Sequence, residues 1–220
     1  MFNWLQDFIK DARQGCDFAV RASEDRVAEV EARLGVALPP SYRHFLLRWN
    51  GARVCGEQIF SCQDLLDYVE AECGFAPYNG ELRLAGQTDG DYRRIYNLKP
   101  THFLAFASPD LSSDLYCFDT HRTYHNEYIV CEFVHDDDDL ARLMRPDCPS
   151  FEAYLMEKLY GGIDSTDIFW DDDMEEAIAE RYFEEKSAYW EDYFQQQLTS
   201  MGANMDTLPH LRWAEWRQSL

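Results

Sequence analysis

Apolar residues recur at intervals of three and four near both ends of the chain. In its middle they cluster in short aromatic or β-branched runs, so the pattern predicts helices, then strands, then helices. Phe2 to Ala12 puts Trp4, Leu5, Phe8 and Ile9 on one side of a first helix. Behind Ser23, the spacing of Val27, Val30, Leu34 and Val36 predicts a second helix from about Glu24 to Leu34, stopped by Gly35. Pro39 and Pro40 fix φ for the first turn of a third helix, whose apolar face is Tyr42, Phe45, Leu46 and Trp49. Asn50 and Gly51 close it, since both tolerate the left-handed conformation. A short strand is expected around Val54 to Ile59. Ser61 then caps a helix over Cys62 to Glu72, with Leu65, Leu66 and Val69 facing inward.

From there to residue 134 the pattern changes. Leu82 to Ala85, Tyr92 to Leu98, His102 to Ala107, Leu115 to Phe118 and Tyr128 to Val134 read as strands, parted by Pro, Asp, Ser and Asn and by a Gln87 to Asp91 turn. The connections are too short for crossover helices, so an antiparallel meander follows. Asp138 to Met144 reads as a short helix, and Ser150 caps a helix over Phe151 to Leu159. Asp171 to Asp173 cap a long helix from Met174 to about Ser200, and Pro209 to Arg217 forms a last short one. The class is α+β: N-terminal helices, a central mostly antiparallel sheet of about 4–6 short strands, and C-terminal helices, with more helix than strand.

The stretch Leu34 to Gly51, LGVALPPSYRHFLLRWNG, carries a resemblance. An apolar helix, then Leu34, Gly35, Leu38, Pro39, Tyr42, Phe45 and Leu46 in order, closed by Asn50 and Gly51, resembles the opening signature of the SUKH superfamily. Later parts look similar too: Phe103 to Ser108 as an apolar strand, Asp114 to Asp119 as a strand ending in aspartate, Glu132 to Asp136 running into an acidic corner, and the Ser-Phe-Glu start of a closing helix. Leu111, Ser112 and Ser113 depart from it where members often place glycine. The resemblance covers most of residues 20 to 160. It implies residues 1–162 as a SUKH-like α+β domain with an N-terminal helix, and leaves 163–220 as an acidic, aromatic-rich helical extension packing on it. Members in bacteria are mostly immunity proteins that neutralise a paired toxin, and the superfamily also resembles a yeast cell-wall regulator. The expected function is therefore binding of a cognate polymorphic toxin, a nuclease or another toxin with a basic cleft, in an inactive complex. The alternative is an intracellular scaffold or regulatory module of the same fold.

Charge sharpens this picture. In 220 residues, 46% of them apolar, 41 acidic side chains against 20 basic give a formal net charge of −21, which argues against nucleic-acid or anionic-membrane binding through a basic surface. A basic protein partner fits better. Residues 136–220 hold 21 acidic and 7 basic side chains, two thirds of the net charge. Candidate partner-binding residues are Asp136, Asp137, Asp138 and Asp139, and then Asp171, Asp172 and Asp173, because loops on a rigid scaffold usually carry recognition. The stripe Met174, Ile178, Tyr182, Phe183, Trp190, Tyr193, Phe194 and Leu198 reads as a face packed on its own domain, with a partner surface as the other use of so many aromatics.

Catalytic motifs are missing from the sequence: no phosphate-cradling G-x-x-x-x-G-K-[ST] loop, no G-x-G-x-x-G, no G-x-S-x-G and no H-E-x-x-H. No enzyme activity, cofactor or metal is expected. Asp119, His121, His125 and His135 read as strand and loop residues, since no cysteine or histidine spacing around them completes four zinc ligands. The Asp136 to Asp139 run lacks the alternating register, glycine and distal glutamate of an EF-hand loop. Seven cysteines without a C-x-x-C pair fit core thiols better than a disulfide framework. No basic start precedes an apolar block, and no apolar run reaches the length of a membrane span, so a cytoplasmic protein is expected.

Overall fold

The computed structural model describes residues 2–70, 103–109, 114–133, 144–165 and 168–201. In chain order these form α1 (Asn3–Asp11), β1 (Cys16–Phe18), α2 (Glu24–Leu34), α3 (Pro40–Arg48), β2 (Ala52–Val54), β3 (Glu57–Ile59) and α4 (Cys62–Glu70). Then follow β4 (Phe103–Pro109), β5 (Leu115–Tyr124), β6 (Glu127–Phe133), β7 (Met144–Cys148), α5 (Phe151–Ser165) and α6 (Glu176–Ser200). The α+β class is as expected: helices at both ends, an antiparallel sheet between them, and more described residues in helices than in strands. The strands expected over 82–85 and 92–98, the 87–91 turn and the 209–217 helix lie outside the described residues.

Among the described residues seven strands join in one sheet in sequence order, each antiparallel to the next. That is more than the four to six expected, for three local reasons. Residues 54–59 are a hairpin rather than one strand, with Cys55 (φ 49) and Gly56 (φ 78) both left-handed in its two-residue turn and Val54 paired with Glu57. His125 (φ 49) and Asn126 (φ 66) turn the β5–β6 hairpin in the same way. β1 adds a first edge, with Cys16 opposite Val54. β7 adds the other, and Pro146 is tolerated there because an edge strand can spare an N–H. Met144 thus opens a strand, whereas a helix was expected to end on it; residues 138–143 lie outside the described part.

The signature stretch builds the inner corner of the fold. Ser23 Oγ accepts the Arg26 N–H (3.2 Å), Val27, Val30 and Leu34 are buried, and left-handed Gly35 (φ 68) ends α2. α3 starts at the prolines, and the Glu127 carboxylate at the head of β6 accepts both the Ser41 N–H (2.8 Å) and its hydroxyl (2.7 Å). A negative group at a helix N-terminus is favourable there, although burial pushes the Glu127 carboxyl up and the Ser41 bonds only partly offset it. Asn50 and Gly51 do not cap α3, which ends at Arg48 with Trp49 extended. Asn50 Oδ1 instead accepts the Cys62 N–H (2.9 Å) at the start of α4, beside a reciprocal box between Ser61 and Asp64. Gly51 (φ 98) is pressed so closely on the same turn that a Cβ would lie 3.0 Å from Ser61 N and 3.1 Å from Ile59 O.

The sheet is covered on one face by α3 and α5 through stacked rings. Phe106 and Phe118 on neighbouring strands lie 4.0 Å apart, and Phe151 meets Tyr42 at 4.9 Å and Phe45 at 5.0 Å. Tyr42 is fully buried, its hydroxyl donating to Phe60 O (2.7 Å). Ser150 caps α5 through the Ala153 N–H (3.2 Å). The helix runs past Leu159, where it was expected to end, through Gly161 and Gly162 to Ser165. Two interior glycines cost about 1 kcal/mol each relative to alanine, and full burial of Ile163, about 1.5–3 kcal/mol, offsets that.

A second aromatic layer joins α1 to α6. Phe8 of α1 packs on Trp190 (5.0 Å) and Phe169 (5.5 Å), and Trp4 on Phe194 (5.6 Å). The Asp11 carboxylate accepts the Trp190 indole N–H (3.0 Å) and pairs with Lys186 (2.8 Å), while its backbone carbonyl accepts the Tyr182 hydroxyl (2.9 Å). The inward stripe of α6 is thus Ala179, Ser187, Trp190 and Phe194.

Candidate functional site

Two polar regions stand out, an acidic flank along α6 and a half-buried cluster between α5 and the sheet. The flank begins at the aspartate triplet. Asp171 is half-buried, 3.8 Å from Arg13, and its side chain accepts the Asp173 N–H (3.0 Å) while its carbonyl accepts the Met174 N–H (3.1 Å). Asp172 accepts the Trp170 indole N–H (3.0 Å). These residues make a turn and do not cap α6, whose N-cap position is Glu175 with no side-chain capping bond. Asp172 and Asp173 are exposed, and the exposed Glu175, Glu176, Glu180, Glu184, Glu185 and Asp192 continue the negative surface along the helix.

That surface is not purely polar. Ile178 is 47% exposed and Tyr189 57%. Eleven residues is close to three helical turns, so the two lie on one outward stripe about 16 Å apart. Opposite them, Trp190 is 1% exposed and Phe194 fully buried. The expected stripe is thereby divided: Trp190 and Phe194 pack inward, Tyr182, Phe183, Tyr193 and Leu198 lie partly buried against the core, and Ile178 faces out.

Asp136, Asp137, Asp138 and Asp139 fall in the β6–β7 connection, outside the described residues. Asp119 is fully buried on β5, whereas His125 is exposed in the hairpin turn at the end of that strand, which keeps those two apart. The His121 side chain and His135 are outside the described part.

The second region was not visible in the sequence. Lys158 of α5 hydrogen-bonds the Tyr116 hydroxyl of β5 and lies 3.6 Å from the Glu57 carboxylate of β3. Burial pushes the Tyr116 hydroxyl up to about 12, so it stays protonated at neutral pH. Burial pulls the Lys158 ammonium down, but its hydrogen bond to Tyr116 and the neighbouring negative charges outweigh this, and its pKa is raised.

Beside this pair the buried Cys148 thiol donates to Glu157 Oε2 (2.8 Å), with Asp147 Oδ2 at 3.6 Å. Burial, then the charge of Glu157, pushes the Asp147 carboxyl up to about 6. The Cys148 thiol is raised well above its usual value by burial and by the same two carboxylates. Cysteine spacing gave no hint of this group, because its members sit on β7 and α5 and only the fold brings them together.

Among the described residues no helix is long and apolar enough to cross a membrane. The family model for the SMI1 / KNR4 family (SUKH-1) matches residues 21–157, well over half of the chain. No curated protein matches it.

Proposed function

The chain belongs to the SMI1 / KNR4 family (SUKH-1), and on that premise we propose that it is an immunity protein, which binds a cognate polymorphic toxin and holds it in an inactive complex without catalysing a reaction. The family match carries the reading, and the charge supplies a surface for it. Exposed acidic residues from Asp172 to Asp192, with Ile178 and Tyr189 among them, suit a toxin whose own active cleft is positive, as a nuclease's must be to hold its substrate. Such a flank speeds encounter by attraction, and the exposed aliphatic and aromatic side chains give it apolar anchors. None of the six cysteines among the described residues is in a disulfide, which fits action in a reducing cytoplasm. Residues 1–162 would then be the SUKH-like scaffold, and 163–220 the extension that carries much of the recognition surface.

The test is co-expression with toxin candidates encoded next to the chain, scored by cell survival, followed by binding kinetics over a salt series. Replacing Asp171, Asp172 and Asp173, or Asp136 to Asp139, with asparagine should slow association and flatten its salt dependence while leaving dissociation nearly unchanged. Protection and association equal to the parent's at every ionic strength would remove the acidic runs from the interface. Failure to protect against every candidate would refute the immunity reading and favour the scaffold one.

A further inference from the structure

We propose that Asp147, Cys148 and Glu157 form a zinc site that clamps the edge strand β7 to helix α5. One ligand atom from each, two carboxylate oxygens and the Cys148 sulfur, all lie within 4.8 Å of one another. A tetrahedral Zn²⁺ with ordinary Zn–S and Zn–O bonds places its sulfur and oxygen ligands about 3.6 Å apart. The Cys148–Asp147 separation is already 3.6 Å. The Cys148–Glu157 separation of 2.8 Å, now a thiol hydrogen bond, needs to open by less than an ångström, and Glu157 is an exposed, long side chain free to do so.

A second observation points to a ligand at the same place. The Tyr154 hydroxyl, on the same helix, is fully buried and has no hydrogen-bond partner among the described residues. The groups that act on it are, largest first, Glu57, Tyr116, Asp147 and Cys148, so it lies between the Lys158 group and the Asp147–Cys148 end of this cluster. A buried hydroxyl without a partner costs about 1–3 kcal/mol, and a metal-bound water or a ligating carboxylate would satisfy it, as outer partners do around metal sites. An open cleft of about 420 Å³ lined by Cys55, Glu157, Lys158, Tyr160, Gly161 and Gly162 borders the Glu157 side of the cluster. One thiolate among the donors favours zinc over calcium or magnesium, which take six or more hard oxygens. Three protein ligands leave a fourth position for water. Binding replaces the Cys148 S–H by a Zn–S bond and releases one proton to solvent. The sequence expectation of no metal rested on cysteine and histidine spacing, which does not register a Cys-plus-two-carboxylate site.

The experiment uses the full chain, reduced and stripped of metal by chelation, titrated with Co²⁺ as a spectroscopic stand-in and then with Zn²⁺. One equivalent of Co²⁺ should give a sulfur-to-cobalt band in the near ultraviolet together with the strong visible bands of a tetrahedral site, and Zn²⁺ should bleach both. Cys148→Ser should abolish the sulfur band. Glu157→Gln, at an exposed position where folding is safe, should weaken binding more than about tenfold. A Cys16→Ser/Cys55→Ser variant, which removes another pair of neighbouring thiols, should leave the spectrum as it is. A parent without a sulfur band, a Glu157→Gln variant that binds like the parent, or a band lost only with Cys16 and Cys55 would each overturn the site.

Discussion

Asp11 is the point at which the C-terminal helix is fastened to the rest of the fold, and its replacement separates a hydrogen bond from a charge. In Asp11→Ala the Trp190 indole, 1% exposed as a residue, keeps its N–H but loses the acceptor 3.0 Å away. An unsatisfied buried donor costs about 1–3 kcal/mol. The Lys186 pair lost with it is partly exposed, 31% and 22% for the two side chains, and is worth about 0–1 kcal/mol. Against these, an aspartate in the last turn of α1 opposes the helix dipole, so removing it returns roughly 0.3–1 kcal/mol. The net loss should be about 1–3 kcal/mol, dominated by the indole. Asp11→Asn retains an acceptor oxygen and gives up only the ion pair and the dipole penalty, two effects of similar size and opposite sign, so it should lie within about 0.5 kcal/mol of the parent. Urea unfolding followed by far-ultraviolet circular dichroism reads both, with Lys186→Met as the charge-only control. If Asp11→Asn is as damaging as Asp11→Ala, or if Asp11→Ala is silent, the indole bond is not what fastens α6.

Two further outcomes follow from the core and from the half-buried acid. Phe45→Ala removes a fully buried ring that meets Phe151 and Trp49, and should cost about 3–5 kcal/mol, with partner binding lost only through unfolding. A stable, well-folded Phe45→Ala protein that no longer binds would turn α3 into the interface. Asp147 has its carboxyl raised from the ordinary 3.8 to about 6, so the folded chain holds that proton more tightly than the unfolded one. Its contribution is fully present below about pH 4 and is lost as pH rises through about 6, a change of no more than about 3 kcal/mol. In chelator, Asp147→Asn should flatten that part of the stability profile, and a profile superimposable on the parent's would show that the acid is not buried in solution.

What could be read ahead of the structure is what local chemistry decides. α2 was legible from Ser23 to Gly35 because its cap, its apolar stripe and its glycine stop all sit within thirteen residues. The Pro-started α3 and the Ser150 cap were legible for the same reason. The β2–β3 hairpin was not, because its turn places cysteine rather than asparagine or aspartate in the first left-handed position. β1 and β7 escaped because three residues, or five with a central proline, carry no alternation to detect. Asn50 was recognised as a helix-end residue but assigned to the wrong helix, since its partner Cys62 lies twelve residues on, across the whole β2–β3 hairpin. The Asp147, Cys148 and Glu157 group depends on β7 and α5 meeting, and nothing in their spacing encodes that.

The signature residues divide the molecule's labour. Gly35 ends α2, Leu38 and Tyr42 are buried, Asn50 starts α4 and Gly51 lets that turn close, so each is spent on holding the corner together and none is left to meet a partner. The family match runs from 21 to 157 and therefore contains neither α1 nor α6. Yet these two helices pack on each other through Phe8, Trp190 and Phe194 and are tied to the matched region by the Trp4 indole N–H, which donates to Glu152 of α5 (2.8 Å). A layer attached so firmly on its inner side presents its outer side as a rigid surface, and a rigid surface loses little conformational entropy on binding. On the proposed function, the exposed glutamates of α6, with Ile178 and Tyr189 between them, would combine the two things that make recognition fast and durable, a field that attracts a basic partner and anchors that need not be ordered when it arrives.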